Sequence, residues 1–283
     1  MRVPITGETR LVAVIGSPVR HSLSPALHNA AFASAGLDWR MVAFDVIEGR
    51  AADAIEAMKT LGIAGYAVTM PHKADVAAAV DQVDAAAAAL GSVNTVVLRP
   101  DGSTFGTSTD GDGFVASVDL AGFELAGAKV AVLGAGGAAR SIIEALGRSG
   151  VDDIAVINRT RSTAALAASL APVARVGGVD DVARAALLVN TTPAGMGPAA
   201  NGSGELPLDP ALLRSDLVVA DIVYHPLVTP LLRAAADVGA ATIDGLGMLA
   251  HQAALQQQLW TGQRPDPAVM RAAAERELAA RSA

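Results

Sequence analysis

The sequence predicts an α/β protein of two domains, the first with a mixed sheet and the second with a parallel sheet covered on both faces. Two features support this prediction. Residues 129–162, KVAVLGAGGAARSIIEALGRSGVDDIAVINRTRS, combine a strand, a glycine turn, a helix and a second strand in the middle of the chain. The segment before it carries its own alternation of strand and helix patterns. The length of 283 residues allows two separate cores.

Composition restricts the class of protein and of ligand. Alanine inflates the hydrophobic fraction of 52%, and no segment approaches the roughly 18 apolar residues of a membrane span. The first residues, MRVPITGETR, lack the pattern of a secretory signal, so we expect a soluble, cytoplasmic protein. The absence of cysteine excludes disulfides and thiolate chemistry. A net charge of −7 with dispersed basic residues argues against nucleic acid. Small molecules are the expected ligands.

The first 110 or so residues predict strands and helices in a mixed order. Apolar runs predict three strands, Leu11–Ile15, Met41–Val46 and Tyr66–Met70. A helix is expected after the first strand, because Ser24 and Pro25 suit an N-cap and first helical position and Gly36 can end the helix. The segments Val93–Leu98 and Thr104–Thr107, joined by an Asp-Gly turn, predict an antiparallel hairpin.

The glycine turn in mid-chain predicts a dinucleotide site. The unbroken apolar run Val130–Leu133 is typical of a buried parallel strand. Gly134, Gly136 and Ala139 then match G-x-G-x-x-A, whose small residues allow a tight turn and close approach of a pyrophosphate. The apolar spacing that follows predicts a helix, and the free N–H groups and dipole of its N-terminus favour phosphate.

The end of the next strand distinguishes between two dinucleotides. A site for NAD has an acidic residue about 20 residues beyond the first glycine, where it binds the ribose 2′-OH. Asn158, Arg159, Thr160 and Arg161 stand there instead. Arginine donors suit a 2′-phosphate, so the sequence favours NADP(H). The alternative, two solvated arginines at a strand-helix junction, stays open here.

The rest of the chain completes a Rossmann-like domain and adds helices. Three further buried strands are predicted, Leu187–Asn190, Leu217–Asp221 and Ala241–Asp244. Two helices should follow, from about Met248 to Trp260 and from Pro267 to Arg281.

Two residues of the first segment are candidates for proton transfer. Lys73 ends VTMPHK, just beyond a predicted strand, where α/β sheets usually place ligand-facing residues. Asp110 lies in TDGDGF, at the seam between the predicted domains. If paired, the aspartate would hold the ammonium and the lysine would move the proton. The plainer interpretation is a surface lysine and an Asp-Gly turn.

Other polar residues suggest a site for a small hydroxy acid. Ser22 and Ser24 lie at a helix N-terminus, where a carboxylate is favoured, although capping alone explains Ser24. Gln252 interrupts an apolar stripe of Met248, Leu255 and Leu259, and its partner is either a ligand or a backbone carbonyl. The five histidines show no metal-ligand spacing, so no metal is expected.

Nine segments in order resemble the shikimate dehydrogenase family: HSLSPALHNAAF, VTMPHK, GSVNTVV, TDGDGF, GAGGAAR, NRT, NTTPAGM, DIVYHPLVTPLL and GLGMLAHQAALQQQLWTG. The resemblance covers residues 11–262. It implies reversible NADPH-dependent reduction of 3-dehydroshikimate to shikimate in aromatic amino acid (chorismate) biosynthesis. It further implies an NADP-binding Rossmann-like domain, 111–244, and a substrate-binding catalytic domain, 1–110 with 245–283, to which the C-terminal helices return. The expected partner is this small substrate, with a homodimer left open.

The resemblance also implies roles for individual residues. Lys73 and Asp110 match the catalytic pair. The positions that match substrate ligands are Ser22, Ser24, Thr69, Asn94, Tyr224 and Gln252. The positions that match cofactor ligands are Gly134, Ala135, Gly136, Gly137 and Ala138 at the pyrophosphate, Asn158, Arg159, Thr160 and Arg161 at the 2′-phosphate, and Gly245 and Met248 near the nicotinamide.

Four positions depart from the family pattern. Ala67, Ser108 and His225 each replace a usual asparagine, which bears on how the substrate is positioned. Thr163 stands where a second phosphate-binding arginine is common, and Arg161 could take that role. Two alternatives therefore stay open, a paralogue that prefers quinate, another polyol acid or NAD, and a catalytically silent NADP-binding protein.

Overall fold

The computed structural model describes residues 4–197 and 206–282. The chain divides into two compact units, Met1–Thr109 with Gln252–Ala283 and Asp110–His251, called here the first and second unit. Among the described residues, no helix combines the length and apolar character that crossing a bilayer requires.

The helices and strands alternate along most of the chain. The first unit begins with β1 (Arg10–Gly16), α1 (Ser24–Ser34), β2 (Trp39–Asp45), α2 (Ala51–Leu61), β3 (Gly65–Val68), α3 (Lys73–Ala79), β4 (Gln82–Val83), α4 (Ala85–Leu90), β5 (Thr95–Leu98) and β6 (Thr104–Thr107). There follow α5 (Asp110–Leu120), β7 (Lys129–Leu133), α6 (Gly137–Arg148), β8 (Asp153–Ile157), α7 (Arg161–Ala168), β9 (Ala174–Val176), β10 (Leu187–Asn190), β11 (Val218–Asp221), α8 (Pro230–Asp237), β12 (Ala241–Ile243), α9 (Gly245–Thr261) and α10 (Pro267–Ser282).

The sheet of the first unit is mixed, as predicted. Its strand order is β2-β1-β3-β5-β6-β4. The strands β2, β1 and β3 are parallel, whereas β3, β5 and β6 are antiparallel. The predicted hairpin is confirmed, with Thr95 opposite Thr107 and Leu98 opposite Thr104. The two-residue β4 was not predicted, because so short a strand shows no alternation of apolar and polar residues.

Side chains of β1 enter two hydrophobic clusters, one on each face of the first sheet. Ile15 belongs to a cluster with Ile55 and Met58 of α2. Val14 belongs to another with Phe32 of α1 and Trp260 of α9. The Trp260 indole N–H donates to the carbonyl of Val96 in β5 at 3.0 Å. The end of α9 thus packs on the first sheet, which confirms the predicted return of the C-terminal helices.

The predicted N-cap of α1 is wrong. Leu23 is the N-cap, Ser24 is the first helical residue, and no side chain caps the helix. The Ser22 hydroxyl instead accepts a hydrogen bond from the Ser24 N–H at 3.2 Å. A serine hydroxyl readily bonds the amide two residues ahead, which competes with the capping geometry. The predicted end is correct, because Gly36, with φ of 67°, follows the C-cap.

The second unit contains a parallel sheet, as predicted, and it has six strands, of which the three-residue β9 was not predicted. Its order is β12-β11-β10-β7-β8-β9. The predicted strand Leu187–Asn190 is confirmed as β10, and the strands predicted at 217–221 and 241–244 are each one residue too long. The sheet changes direction of growth between β7 and β10, and such a switch point opens a crevice at the carboxyl ends of the strands.

His28 is a fully buried histidine of the first unit. Its ring centroid lies 5.1 Å from that of Trp260, and its Nε2 lies 3.3 Å from Gln256 Oε1. Burial lowers the pKa of His28 to about 4, while the side chains of Gln256 and Gln257 act in the opposite direction. Because burial disfavours the charged imidazolium, the folded unit holds a neutral His28 at physiological pH.

This pKa shift predicts a pH dependence of stability. The folded pKa lies below the ordinary value of 6.5, so the stability contribution is complete above pH 6.5 and is lost as the pH falls towards 4. Relative to His28→Phe, we expect the free energy of unfolding of the natural chain to fall by about 2 kcal/mol between pH 7 and pH 5. Both tryptophans, Trp39 and Trp260, lie in the first unit, so urea unfolding followed by their fluorescence measures the relevant transition. Equal pH dependence of the two proteins would contradict the prediction.

Candidate functional site

A cavity of about 790 Å³ lies at the switch point of the second unit. It is formed by the segments that follow β7, β8, β9 and β10. Its lining residues are 133–136, 157–159, 177–179, 191–195, 206 and 207. The cavity therefore brings the predicted glycine loop together with the polar end of β8, as a dinucleotide site requires.

The glycine loop leaves room for a phosphate. Gly134 has φ of 103°, and a Cβ added there would lie 2.5 Å from Thr191 Oγ1, so a side chain is excluded by both backbone conformation and space. Gly136 is the N-cap of α6 and, because glycine has no side chain, no capping group occupies the space before the helix. A Cβ added at Gly136 or Gly137 would meet no atom within 4 Å. The N-terminus of α6 therefore adjoins open space and fits a pyrophosphate.

The end of β8 supplies polar and cationic groups. Asn158 and Arg159 line the cavity, and Asn158 Nδ2 donates to the carbonyl of Thr160 at 3.0 Å. Arg159 is exposed, and within the described part of the chain no carboxylate forms an ion pair with it. Thr160 and Arg161 are exposed at the start of α7 and do not line the cavity. An uncompensated arginine beside the cavity fits a 2′-phosphate.

A buried polar network that the sequence did not predict supports the part of the cavity lining that follows β10. Asp221 Oδ1 accepts from Asn190 Nδ2 at 3.0 Å, and its Oδ2 accepts from Thr229 Oγ1 at 2.7 Å. Asn190 Oδ1 in turn accepts from Thr192 Oγ1 at 2.7 Å. Burial raises the pKa of Asp221, and its hydrogen bonds oppose this effect. The sequence offered one signal for this network, the aspartate that ends the apolar strand VVAD. A buried acid at that place needs hydrogen-bond donors.

The remaining predicted cofactor ligands lie apart from the cavity lining. Gly245 begins α9, and a Cβ there would overlap the carbonyl of Ile222 just beyond β11. Met248, one turn later, is buried. Ala138 is half-buried in the first turn of α6. Tyr224, a predicted substrate ligand, is half-buried in the segment after β11.

Lys73 lies at the carboxyl end of the first unit's sheet. It is the half-buried first residue of α3, five residues beyond the end of β3. Thr69, in the connection, donates its N–H to the carbonyl of Ile15 at 2.9 Å. The carbonyl of Lys73 accepts from the N–H of Val93 at 2.9 Å. The lysine is thus held by backbone bonds beside the segment that carries Asn94, and it is not a freely exposed surface residue.

Asn94 is a buried hub of the first unit, with 2% of its surface exposed. Its Oδ1 accepts from the Thr109 N–H at 2.9 Å and from Thr95 Oγ1 at 2.7 Å. Its Nδ2 lies 3.1 Å from Thr109 Oγ1. Because a backbone N–H can only donate, the bond from Thr109 identifies the oxygen of the amide.

Asp110 follows Thr109 directly and begins α5 in the second unit. The Asp-Gly pair is therefore helical, and its interpretation as a turn is wrong. A Cβ on Gly111 would overlap the carbonyl of Ser141 in α6, so the glycine serves close helix packing.

Ser22, Ser24 and Gln252 all belong to the first unit. Ser22 and Ser24 are half-buried, and Gln252 is buried on α9. The predicted apolar stripe beside Gln252 is shorter than expected, because Leu259 is exposed. Groups of three or more side chains able to hold a metal ion are absent from the described residues.

Three protein-family models match the chain. The model described as Shikimate dehydrogenase substrate binding domain matches residues 14–96. The one described as Shikimate / quinate 5-dehydrogenase matches residues 115–186. The one described as Shikimate 5'-dehydrogenase C-terminal domain matches residues 245–275.

Individual relatives match along nearly their whole length. The Shikimate dehydrogenase (NADP(+)) of Symbiobacterium thermophilum is 44% identical over 95% of this chain and 94% of its own. A crystal structure of a shikimate dehydrogenase in complex with NADP+ superposes with a TM-score of 0.91, at 36% identity, over 97% of this chain and 98% of that one. The Thermus thermophilus shikimate 5-dehydrogenase in complex with NADP(H) and shikimate has a TM-score of 0.85 and 35% identity, over 94% and 99%.

Proposed function

The chain belongs to the shikimate dehydrogenase family, and we propose that it reduces 3-dehydroshikimate to shikimate with NADPH, with Lys73 and Asp110 handling the proton. It is an oxidoreductase of the NADP-dependent type, like its curated relatives. A catalytically silent NADP-binding protein, left open by the sequence alone, is therefore not the function that we assign.

One observation carries the assignment of the proton-handling pair. Each of the two residues is tied by local structure to the same buried amide, Asn94. The carbonyl of Lys73 accepts from Val93, the residue before Asn94. Asp110 directly follows Thr109, whose N–H donates to Asn94 Oδ1. Backbone bonds of this kind hold polar groups in register for a substrate, as catalysis requires.

The proposed mechanism assigns one task to each group. NADPH, when bound, supplies the hydride. Lys73 donates a proton to the ketone oxygen as negative charge develops there, and Asp110 stabilises the charged ammonium. Asn94 and Gln252 bind ring hydroxyls, while Ser22, Ser24 and Tyr224 bind the carboxylate and Thr69 completes the substrate site. The glycine loop from Gly134 to Ala138 binds the pyrophosphate, Asn158 to Arg161 the 2′-phosphate, and Gly245 and Met248 contact the nicotinamide.

The substrate and the cofactor are tested together in a panel. Purified protein is mixed with NADPH or NADH and with 3-dehydroshikimate, and the absorbance of the reduced cofactor is followed. We expect turnover with NADPH and much slower turnover with NADH. Absence of turnover would overturn the assigned substrate, and equal rates would overturn the assigned cofactor.

Quinate is the second candidate substrate. The matched model for residues 115–186 names shikimate and quinate together, and Ala67, Ser108 and His225 depart from the family's usual asparagines. Oxidation of shikimate and of quinate is therefore compared in the same panel with NADP+ and NAD+. A higher kcat/KM for quinate would assign the chain to that activity. The homodimer and the cytoplasmic location stay predictions.

A further inference from the structure

A second set of buried polar side chains lies behind Asn94 in the first unit. Gln256 is 2% exposed, and Thr95 and His28 are completely buried. Gln256 Nε2 lies 3.1 Å from Thr95 Oγ1 and 3.2 Å from the carbonyl of Asn94. Gln256 Oε1 lies 3.3 Å from His28 Nε2. None of these three side chains has a role in the mechanism above.

The donors and acceptors of this network run in one direction. The carbonyl of Asn94 can only accept, so the Gln256 atom beside it is the amide nitrogen. The same nitrogen then donates to Thr95 Oγ1, and the single hydroxyl proton of Thr95 is directed to Asn94 Oδ1, 2.7 Å away. Gln256 Oε1 needs a donor, which makes His28 the Nε2–H tautomer. The neutral state of buried His28 is consistent with this order.

These hydrogen bonds fix the orientation of the Asn94 side-chain amide. Its Oδ1 accepts from Thr95 Oγ1 at 2.7 Å and from the Thr109 N–H at 2.9 Å, and these two short bonds occupy both lone pairs of a carbonyl oxygen, while Thr109 Oγ1 lies farther away at 3.3 Å. The group through which Asn94 can donate is then its Nδ2 amide, one N–H of which is directed to Thr109 Oγ1 at 3.1 Å. Without the bond from Gln256, the Thr95 hydroxyl could turn away and leave Oδ1 with one donor fewer.

We propose that Gln256 is a positioning residue, which acts through Thr95 to hold the Asn94 amide with its Nδ2 donor towards a hydroxyl of the substrate. The proposal rests on the function assigned above, in which Asn94 binds a ring hydroxyl. His28 supports the network at its far end by donating to Gln256.

A double-mutant cycle tests the coupling between Gln256 and Asn94. We expect Gln256→Leu to raise KM for shikimate roughly tenfold, the effect of one lost buried hydrogen bond, with a much smaller change in kcat and in KM for NADP+. In the Asn94→Ala background the same change should alter KM less than about twofold, because the group it positions is gone. Tenfold effects in both backgrounds would overturn the proposal.

Two further variants separate positioning from general loss of packing. Trp260→Phe is the matched control, because it removes another buried bond from α9 to β5, the 3.0 Å bond to Val96, and keeps an aromatic ring beside His28. It should leave KM for shikimate nearly unchanged. Thr95→Val should reproduce the effect of Gln256→Leu, and it serves if that variant does not fold. An equal rise of KM in Trp260→Phe, or no rise in Thr95→Val, would overturn the proposal.

A spectroscopic measurement keeps this inference distinct from the assigned function. The side-chain amide signals of Asn94 in a ¹⁵N spectrum are identified by their loss in Asn94→Ala. They should shift in Gln256→Leu and stay in place in Trp260→Phe, whether or not the protein turns over shikimate. Unchanged signals in Gln256→Leu would overturn the positioning role. Absence of turnover by the natural chain would overturn only the function.

Discussion

Replacing Lys73 by methionine is expected to lower kcat for shikimate oxidation by roughly 10²- to 10⁴-fold, the usual contribution of a positioned acid or base. The variant keeps an unbranched side chain, one atom shorter, and removes the ammonium with its proton. KM for shikimate should change much less, because a proton-transfer role is expressed mainly in the transition state. Steady-state kinetics with shikimate and NADP+, and with 3-dehydroshikimate and NADPH, measures the two constants in each direction. A variant that only raised KM would assign Lys73 to binding.

Lys59 offers a matched control in the same unit. It lies on α2 and forms ion pairs with Glu56 at 3.3 Å and Asp81 at 3.2 Å. Lys59→Met should leave kcat unchanged and cost at most about 1 kcal/mol of stability, as is usual for ion pairs open to solvent. A comparable fall in kcat in this control would indicate a general effect of losing a lysine.

Asp110→Asn tests the other member of the pair. The change keeps the shape of the side chain and removes the charge that stabilises the ammonium, so kcat should fall with little change in the binding of NADP+. Asp112→Asn is the control on the same helix, because Asp112 pairs with Arg148 at 2.6 Å in the second unit. It should leave kcat unchanged.

The second large effect is expected at Arg159. Arg159→Ala removes the exposed cation that lines the cavity. Hydrogen bonds to charged groups contribute about 1.5 to 3 kcal/mol, so KM for NADPH should rise roughly 10- to 150-fold. KM for NADH, which lacks the 2′-phosphate, should change little. The ratio of kcat/KM for the two cofactors measures this effect, and an equal loss with both would contradict it.

Arg161→Ala separates the two arginines at the end of β8. Arg161 is the first residue of α7 and does not line the cavity. If Arg161 replaces the arginine that is absent at Thr163, its loss should also reduce the preference for NADPH. A smaller effect than that of Arg159→Ala is expected, because charge attraction across solvent is screened.

Much of the fold could be predicted from local patterns. The run Val130–Leu133 and the glycine turn after it appear in the structure as the end of β7 and the start of α6. The hairpin of β5 and β6 was signalled by its Asp-Gly turn. The N-cap of α1 was predicted wrongly, because the choice between Leu23 and Ser24 depends on which amide the Ser22 hydroxyl bonds. Sequence does not specify that choice.

The candidate site was predictable to a different extent in each unit. In the second unit, the small residues of the glycine loop and the arginines at the end of β8 indicated a phosphate-binding site, because few other side chains allow one. The carboxylate network of Asp221 gave only a weak signal, because its donors Asn190 and Thr229 lie on other segments. In the first unit, Gln256 gave no signal as a partner of Asn94.

The sequence by itself determined the main elements of each unit, the mixed and parallel character of the two sheets and a preference for NADP(H) over NAD. These depend on periodicity and on small or charged residues close together in the chain. Only the tertiary structure decided how buried polar groups satisfy one another. Gln256 and Asn94 are 162 residues apart in the chain, and their bond exists because α9 packs on β5, where each buried donor must find an acceptor.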